Sequence, residues 1–218
     1  MTTLTPREAK STAETLSNHL TAIHQLRRDW SRHKSMGQGQ ATGLANALLE
    51  LGHADSLAGG GGDPRAAELC AAEIRGQVRA YHEGLGITHK GLTECLAGMR
   101  AREKDIRRAC DAMCDERGVE EMRQRPLGVT WSAHRYLEVA MEIVQMYTRE
   151  LVMKTHLLHD FVARAGGGGG GGGGDGEQGR ATLMRYVASW MMEPFVDVDR
   201  LDALSSFQNV ESNLVRKA

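Results

Sequence analysis

Aromatic side chains make up only 5% of this sequence, a composition more typical of helix packing than of β-sheet, whose strands favour aromatic and β-branched residues. No window is long, apolar and uncharged enough to span a bilayer, and the opening MTTLTPREAK lacks the apolar core of a signal peptide. Charge of one sign is missing as well. Basic residues number 27 and acidic residues 28, so no whole-chain field draws in nucleic acid or anionic lipid. The expectation is a soluble intracellular chain with no membrane and no direct nucleic-acid partner. Four cysteines, Cys70, Cys95, Cys110 and Cys114, fall within one helical pattern. They read as small, partly buried apolar residues rather than a disulfide framework.

Signatures of chemistry are equally sparse. The glycine runs lack the Lys-Ser/Thr of a phosphate-binding loop and follow no strand, which argues against an ATPase. No G-x-S-x-G elbow is present, and the cysteines sit in helical heptads rather than a pocket-forming turn, which argues against nucleophilic catalysis. Metal ligands do not assemble by spacing either. Cys110 and Cys114 share a helix face but have no second pair, and Glu50 with His53 is a lone Glu-x-x-His at a helix end. His156, His159 and Asp160 cluster on one face without a third element fixed by sequence. The reading is a protein that is not an enzyme, with no catalytic, cofactor or metal residues.

What the sequence does have is helix. Hydrophobic residues reach 41% and methionine alone contributes 11 positions, an adaptable surface suited to helix packing. From Thr130 to Phe161, Leu137, Ala140, Val144, Tyr147, Leu151, Lys154, Leu158 and Phe161 recur with alternating spacings of three and four. Tyr136, Val139, Ile143 and Met146 widen that stripe, so it faces more than one neighbour. Thr130 reads as its N-cap, with Pro126 in the lead-in. A second seam takes Val78, Tyr81, Leu85, Thr88, Leu92, Cys95, Met99, Arg102, Ile106, Ala109 and Met113. At the helical rise that is a rod of roughly 50 Å. Gly84, Gly86, Gly91 and Gly98 weaken it by about 1 kcal/mol each, so packing must hold it.

Punctuation marks the ends. Thr5, Pro6 and Glu8 read as N-cap, N1 and capping-box partner, and Asp63-Pro64 repeats the grammar. Pro194 stops a helix carrying Leu183, Val187 and Trp190. Asp199 reads as the cap of a last helix whose apolar face is Leu204, Phe207, Val210 and Leu214. The fold expected is all-α: an elongated antiparallel helical bundle or coiled coil with Gly-rich loop insertions, in a single domain over 1–218. Helices are expected at about 6–34, 40–52, 64–117, 131–165, 180–193 and 200–215, with flexible glycine-rich loops at 59–62 and 166–179. Glu150 with Lys154 reads as a solvated i,i+4 pair worth a few tenths of a kcal/mol. Tyr147 reads as core. Trp131 and Trp190 stand evenly between core and interface anchors.

Two segments carry a resemblance. RPLGVTWSAHRYLEVAMEIVQMYTRELVMK, from Arg125 to Lys154, and YVASWMMEPFVDVDRLDAL, from Tyr186 to Leu204, resemble the C-terminal half of the cyclin-dependent kinase 2-interacting protein family. The matching features are Pro126-Leu127, Thr130-Trp131, His134, Tyr136, Glu138-Val139, Met146-Tyr147, Glu150-Leu151 and Lys154, then Ser189-Trp190 and Pro194. The glycine runs depart from the family. The resemblance implies a non-catalytic adaptor in the nucleus, with roles in the cell cycle, cell division, DNA replication and the checkpoint response to DNA damage and repair. It also implies a place in an AAA-type ATPase assembly acting in ribosome biogenesis, at large-subunit maturation, and in replisome protein turnover. Expected partners are a cyclin-dependent kinase, replication and checkpoint proteins, AAA-type ATPase subunits, a second helical adaptor and, as a candidate, a second copy of the chain. Trp131, Tyr136, Glu138, Glu150, Lys154, Trp190 and Pro194 are the partner-binding candidates, and Thr5, ahead of Pro6, is a candidate phosphosite. Competing readings are a generic coiled-coil structural subunit and a helical metal-binding enzyme.

Overall fold

The chain enters its first helix through the cap its sequence spells. The Thr5 amide and hydroxyl both donate to Glu8 Oε2 at 2.9 Å, and the Glu8 amide donates back to Thr5 Oγ1 at 3.3 Å, the reciprocal pattern of a capping box. The structure, a computed structural model, describes residues 5–59, 63–127, 129–166 and 177–217. They form α1 (Pro6–Gly59), α2 (Pro64–Arg117), α3 (Val119–Gln124), α4 (Ala133–Gly166), α5 (Glu177–Met192) and α6 (Val198–Lys217). The described residues hold no strand, and the fold is an all-α helical bundle.

Several boundaries differ from the sequence reading. Where two helices were expected at 6–34 and 40–52, α1 runs unbroken. The glycines that suggested a break are packing sites instead. A Cβ at Gly43 would strike the Tyr81 ring, and one at Gly37 would meet the Thr88 methyl and the Trp190 indole, so burial against neighbours offsets the lost helix propensity. Ser132, not Thr130, caps α4: its backbone carbonyl accepts from Arg135 and Tyr136, and its hydroxyl lies 3.4 Å from the Arg135 amide. Asp197, not Asp199, caps α6, accepting from the Arg200 amide at 2.9 Å. Gly118, at φ 95°, separates α2 from the unanticipated α3. Gly59 closes α1 and Glu177 to Gly179 open α5. The rest of the two expected glycine loops, 60–62 and 167–176, lies outside the described residues.

The expected single domain resolves into two compact units: Met1–Asp29, Glu94–Arg149 and Phe195–Ala218 form the first, Trp30–Thr93 and Glu150–Pro194 the second. In the first unit Glu8 meets Arg117, His19 meets Asp105 and Leu26 lies on Gly98, so α1 and α2 run antiparallel in constant register. The ring closes through Cys110 against the Ala133 carbonyl, Glu142 against Arg200, and Ser212 against Ser17. That is an up-down-up-down four-helix arrangement of α1, α2, α4 and α6. Its core is Leu16, Leu20, Ile23, Met99, Ile106, Tyr136, Val139, Ile143 and Leu201. Within α2 the expected seam shifts: Arg102 is exposed and Cys110 is buried where Ala109 was expected.

The second unit repeats the arrangement with α1, α2, α4 and α5. His33 presses on Gly91 and Tyr81 on Gly43; His89 bonds Thr155 at 2.8 Å; Phe161 meets Tyr186 edge-on at 5.4 Å; and Trp190 covers Gly37. Leu44, Leu85, Leu92, Phe161 and Leu183 supply its apolar core, each contributing about 2 kcal/mol by burial.

Candidate functional site

The most unusual side chains of the second unit lie where the sequence suggested only a solvated helix face. Glu150 and Lys154 on α4 are both fully buried, with Nζ 2.8 Å from Glu150 Oε1. Lys154 also donates to the Trp190 carbonyl at 2.7 Å and stands 4.9 Å from the Trp190 ring centroid. That carbonyl is in the last turn of α5, where helices leave acceptors unmatched and favour a cation. Burial pulls the Lys154 pKa down, and the hydrogen bond and charge of Glu150, with the charge of Glu193, only partly restore it.

One residue beyond α5 the chain turns through Glu193, the only non-glycine residue at positive φ among those described, at 48°. A left-handed residue followed by Pro194 is an ordinary helix stop, but this position usually falls to glycine or asparagine. The side chain explains the exception. Its carboxylate accepts from Trp30 Nε1 at 2.6 Å and from Lys34 Nζ at 2.8 Å, so the strained backbone aims a buried anion at α1. Together the six residues Trp30, Lys34, Glu150, Lys154, Trp190 and Glu193 fasten the end of α5 to α1 and α4.

The first unit holds a different polar interior. Glu211 on α6, almost fully buried, accepts from the Val129, Thr130 and Trp131 amides at 2.8, 2.9 and 3.1 Å and from the Thr130 hydroxyl at 2.7 Å. Burial alone would raise its pKa, but the Thr130 hydroxyl and then the backbone donors outweigh it and hold the carboxyl low. Gln208 donates to the Ser17 carbonyl and the Thr21 hydroxyl. The register of α6 is therefore not the expected one. Leu201, Leu204, Gln208, Glu211 and Val215 face inward, while Phe207, Val210 and Leu214 are 64%, 58% and 39% exposed. A satisfied carboxylate and amide displaced three apolar residues from the interior.

The acids of both clusters are engaged in structural contacts. In the Lys154 cluster each acid already holds a cation or an indole N–H, and no hydroxyl or thiol nucleophile stands beside a base. Cys110 donates to the Ala133 carbonyl at 3.4 Å, and burial pushes its thiol up to about 11, an inert setting. No three His, Cys, Asp or Glu side chains among the described residues converge to hold a metal, and Asp160, one of the suggested ligands, accepts from the Tyr186 hydroxyl. Of the seven expected partner-binding residues, Trp131, Tyr136, Glu150, Lys154 and Trp190 are buried within the fold. Their side chains support the interior of the fold. Only Glu138, beside His134 and Arg135, and Pro194 are exposed. Thr5 is exposed and engaged in its cap. Glu193, Gln208 and Glu211 were not anticipated, since single acids and amides in helical sequence carry no signal of burial.

No family model matches the chain. Over 203 residues it is 23% identical to the cyclin-dependent kinase 2-interacting protein of Homo sapiens, a match covering 90% of this chain and 89% of that protein. The protein of the same name from Bos taurus is 22% identical over 200 residues, covering 89% and 88%. The similarity carried by the two segments described above thus extends over nearly the whole length of both relatives.

Proposed function

We propose that this chain is a non-catalytic nuclear adaptor that binds a cyclin-dependent kinase and brings it to proteins of DNA replication and checkpoint signalling. One observation carries the reading: the end-to-end similarity to two proteins named for interacting with cyclin-dependent kinase 2. Apolar residues left on helix surfaces, such as Met184, Met192 and Phe207, suit a protein that acts by contact. The same reading includes a subunit role in an AAA-type ATPase assembly serving large ribosomal subunit maturation and replisome protein turnover.

The test is direct capture. The purified chain, immobilised, is offered active and inactive cyclin-dependent kinase 2 with its cyclin, and a kinase of another family as control. Retention above the control supports the reading; equal retention of both kinases overturns it. A parallel incubation with ATP and mapping by mass spectrometry asks whether Thr5, ahead of Pro6, is modified. Fractionation of cells expressing the tagged chain tests the nuclear placement, which exclusion from nuclei overturns.

A further inference from the structure

One face of α5 is apolar and uncovered. At about 100° per residue, Ala181, Met184, Ala188, Met191 and Met192 fall on one side of the helix, away from the buried Leu183 and Trp190. Met184 and Met192 are 59% and 78% exposed. The helix thus has two apolar sides, and the one carrying Leu183 and Trp190 is buried while the methionine side is exposed. The same geometry puts an exposed arginine on each edge of the stripe, Arg180 on one and Arg185 on the other. Arg185 donates to Thr182 Oγ1 at 3.2 Å, which engages one of the five donors of its guanidinium. The acid nearest the end of the helix, Glu193, is turned inward onto Trp30 and Lys34. The stripe is therefore methionine-rich and bordered by two cations, and its one acid is Glu177, exposed in the first turn of α5 one turn before Ala181.

We infer that this face of α5 is the docking site for an acidic amphipathic helix of a partner protein. The partner lays its apolar stripe along Met184, Met191 and Met192 and sets Asp or Glu on its two flanks opposite Arg180 and Arg185. Charge complementarity selects the occupant: matched flanks steer and orient, whereas like charges across the contact are repelled. Methionine fits the role because its unbranched, polarisable side chain moulds to varied helix surfaces. The exposed length, about 16 Å at the helical rise, accepts three turns of a partner. The inference rests on the adaptor reading and supplies the chemistry of one partner.

The experiment uses the full chain and two labelled helical peptides, identical in their leucine stripe, one flanked by Glu and one by Lys. Binding is followed by fluorescence anisotropy at low salt. The Glu peptide should bind at least about tenfold tighter than the Lys peptide. Met184→Glu with Met192→Glu should abolish the preference while leaving the thermal melt unchanged, since both positions are exposed. Arg180→Glu with Arg185→Glu should reverse it. Equal binding of the two peptides, or binding that survives the methionine substitutions, overturns the inference. So does a preference for phosphatidylserine vesicles over the Glu peptide, or self-association that the methionine substitutions abolish; these assign the face to a membrane or to a second copy. Kinase capture is run on the same variants. Kinase retained without peptide discrimination overturns this inference and leaves the adaptor reading standing; peptide discrimination without kinase capture does the reverse.

Discussion

The first unit buries a carboxylate, Glu211, by surrounding it with three backbone amides and a hydroxyl; the second buries one, Glu150, by pairing it with Lys154 on the next turn. The two are built from the same up-down-up-down order of helices, so the difference is one of chemistry rather than topology. Fixed dipoles satisfy an anion without a second ion to desolvate, and Glu211 remains an easily ionised acid. A buried pair must remove two charges from water, and the Lys154 pKa falls as a result. The first solution stabilises a loop, holding the 129–131 segment to α6. The second fixes a register, because the Trp190 carbonyl reaches Lys154 in only one alignment of α5 on α4.

The sharpest way to break this comparison is to remove one charge of the pair. Lys154→Met leaves Glu150 buried without its cation and should cost about 3 to 5 kcal/mol in a urea titration. The double substitution Glu150→Leu with Lys154→Met should recover most of that loss. If both variants are equally destabilised, the pair contributes through packing and not through charge.

The first unit should respond to acid instead. Burial, and then the charge of Arg27, press the His24 pKa down to about 4, with an Arg27 guanidinium nitrogen 2.8 Å from Nδ1. A histidine depressed in the folded state takes up its proton first in the unfolded chain. Its contribution is complete above the ordinary value of 6.5 and is lost as pH falls from there to about 4. The loss should reach roughly 3 kcal/mol. His24→Gln should flatten that part of the stability profile, measured by urea titration at successive pH values.

Glu211→Gln comes next. It replaces a carboxylate facing four donors by an amide whose own NH2 opposes one of them, at about 1.5 to 3 kcal/mol. Because the Glu211 pKa is lowered, its stabilisation is present above the usual 4.5 and lost as pH falls through the lower folded value. The variant should therefore lose that part of the acid sensitivity too. Hydrogen exchange of the Val129, Thr130 and Trp131 amides should accelerate in it, while that of the second unit stays unchanged.

The contrast also explains what was legible in the sequence. Heptad spacing located the helices because apolar burial is periodic, and Leu137, Ala140, Val144, Tyr147 and Phe161 are buried as their spacing predicts. Polar burial has no such period. Lys154 occupied a seam position in the pattern, and its charge argued for solvent; only a carbonyl from another helix, Trp190, decides between the two. On α6 the pattern favoured Phe207 and Val210, and the competing face won because Ser17, Thr21 and the 129–131 amides supply partners to Gln208 and Glu211. Glycine misled for a related reason. Gly37 and Gly43 look like breaks until the Trp190 and Tyr81 rings that require their bare backbone are known. Trp131 and Trp190, which stood evenly between core and interface anchors, are internal, because large aromatics serve both purposes and spacing does not distinguish them.

The smallest effect belongs at the start of α1, where the sequence was most explicit. Thr5→Ala removes the hydroxyl that accepts from the Glu8 amide and donates to its carboxylate, and an N-cap deletion of this kind costs about 1 kcal/mol. The site is exposed and leaves both buried clusters untouched, so it sets the scale for a purely local loss against which Lys154→Met and Glu211→Gln are judged. The Thr5 backbone donor, then its hydroxyl, hold the Glu8 carboxyl below its usual value, and the variant should let that carboxyl titrate closer to the ordinary range, as read by NMR. Thr5→Ser keeps an oxygen in place and should retain most of the stability. Thr5→Asp offers the first-turn amides an anion but sets it against Glu8, so it should fall between serine and alanine at neutral pH and gain on serine as Glu8 is protonated. If Thr5→Ala is instead as damaging as Lys154→Met, the N-terminal turn is a cornerstone of the first unit, and the division between cheap surface caps and costly interior charges is wrong.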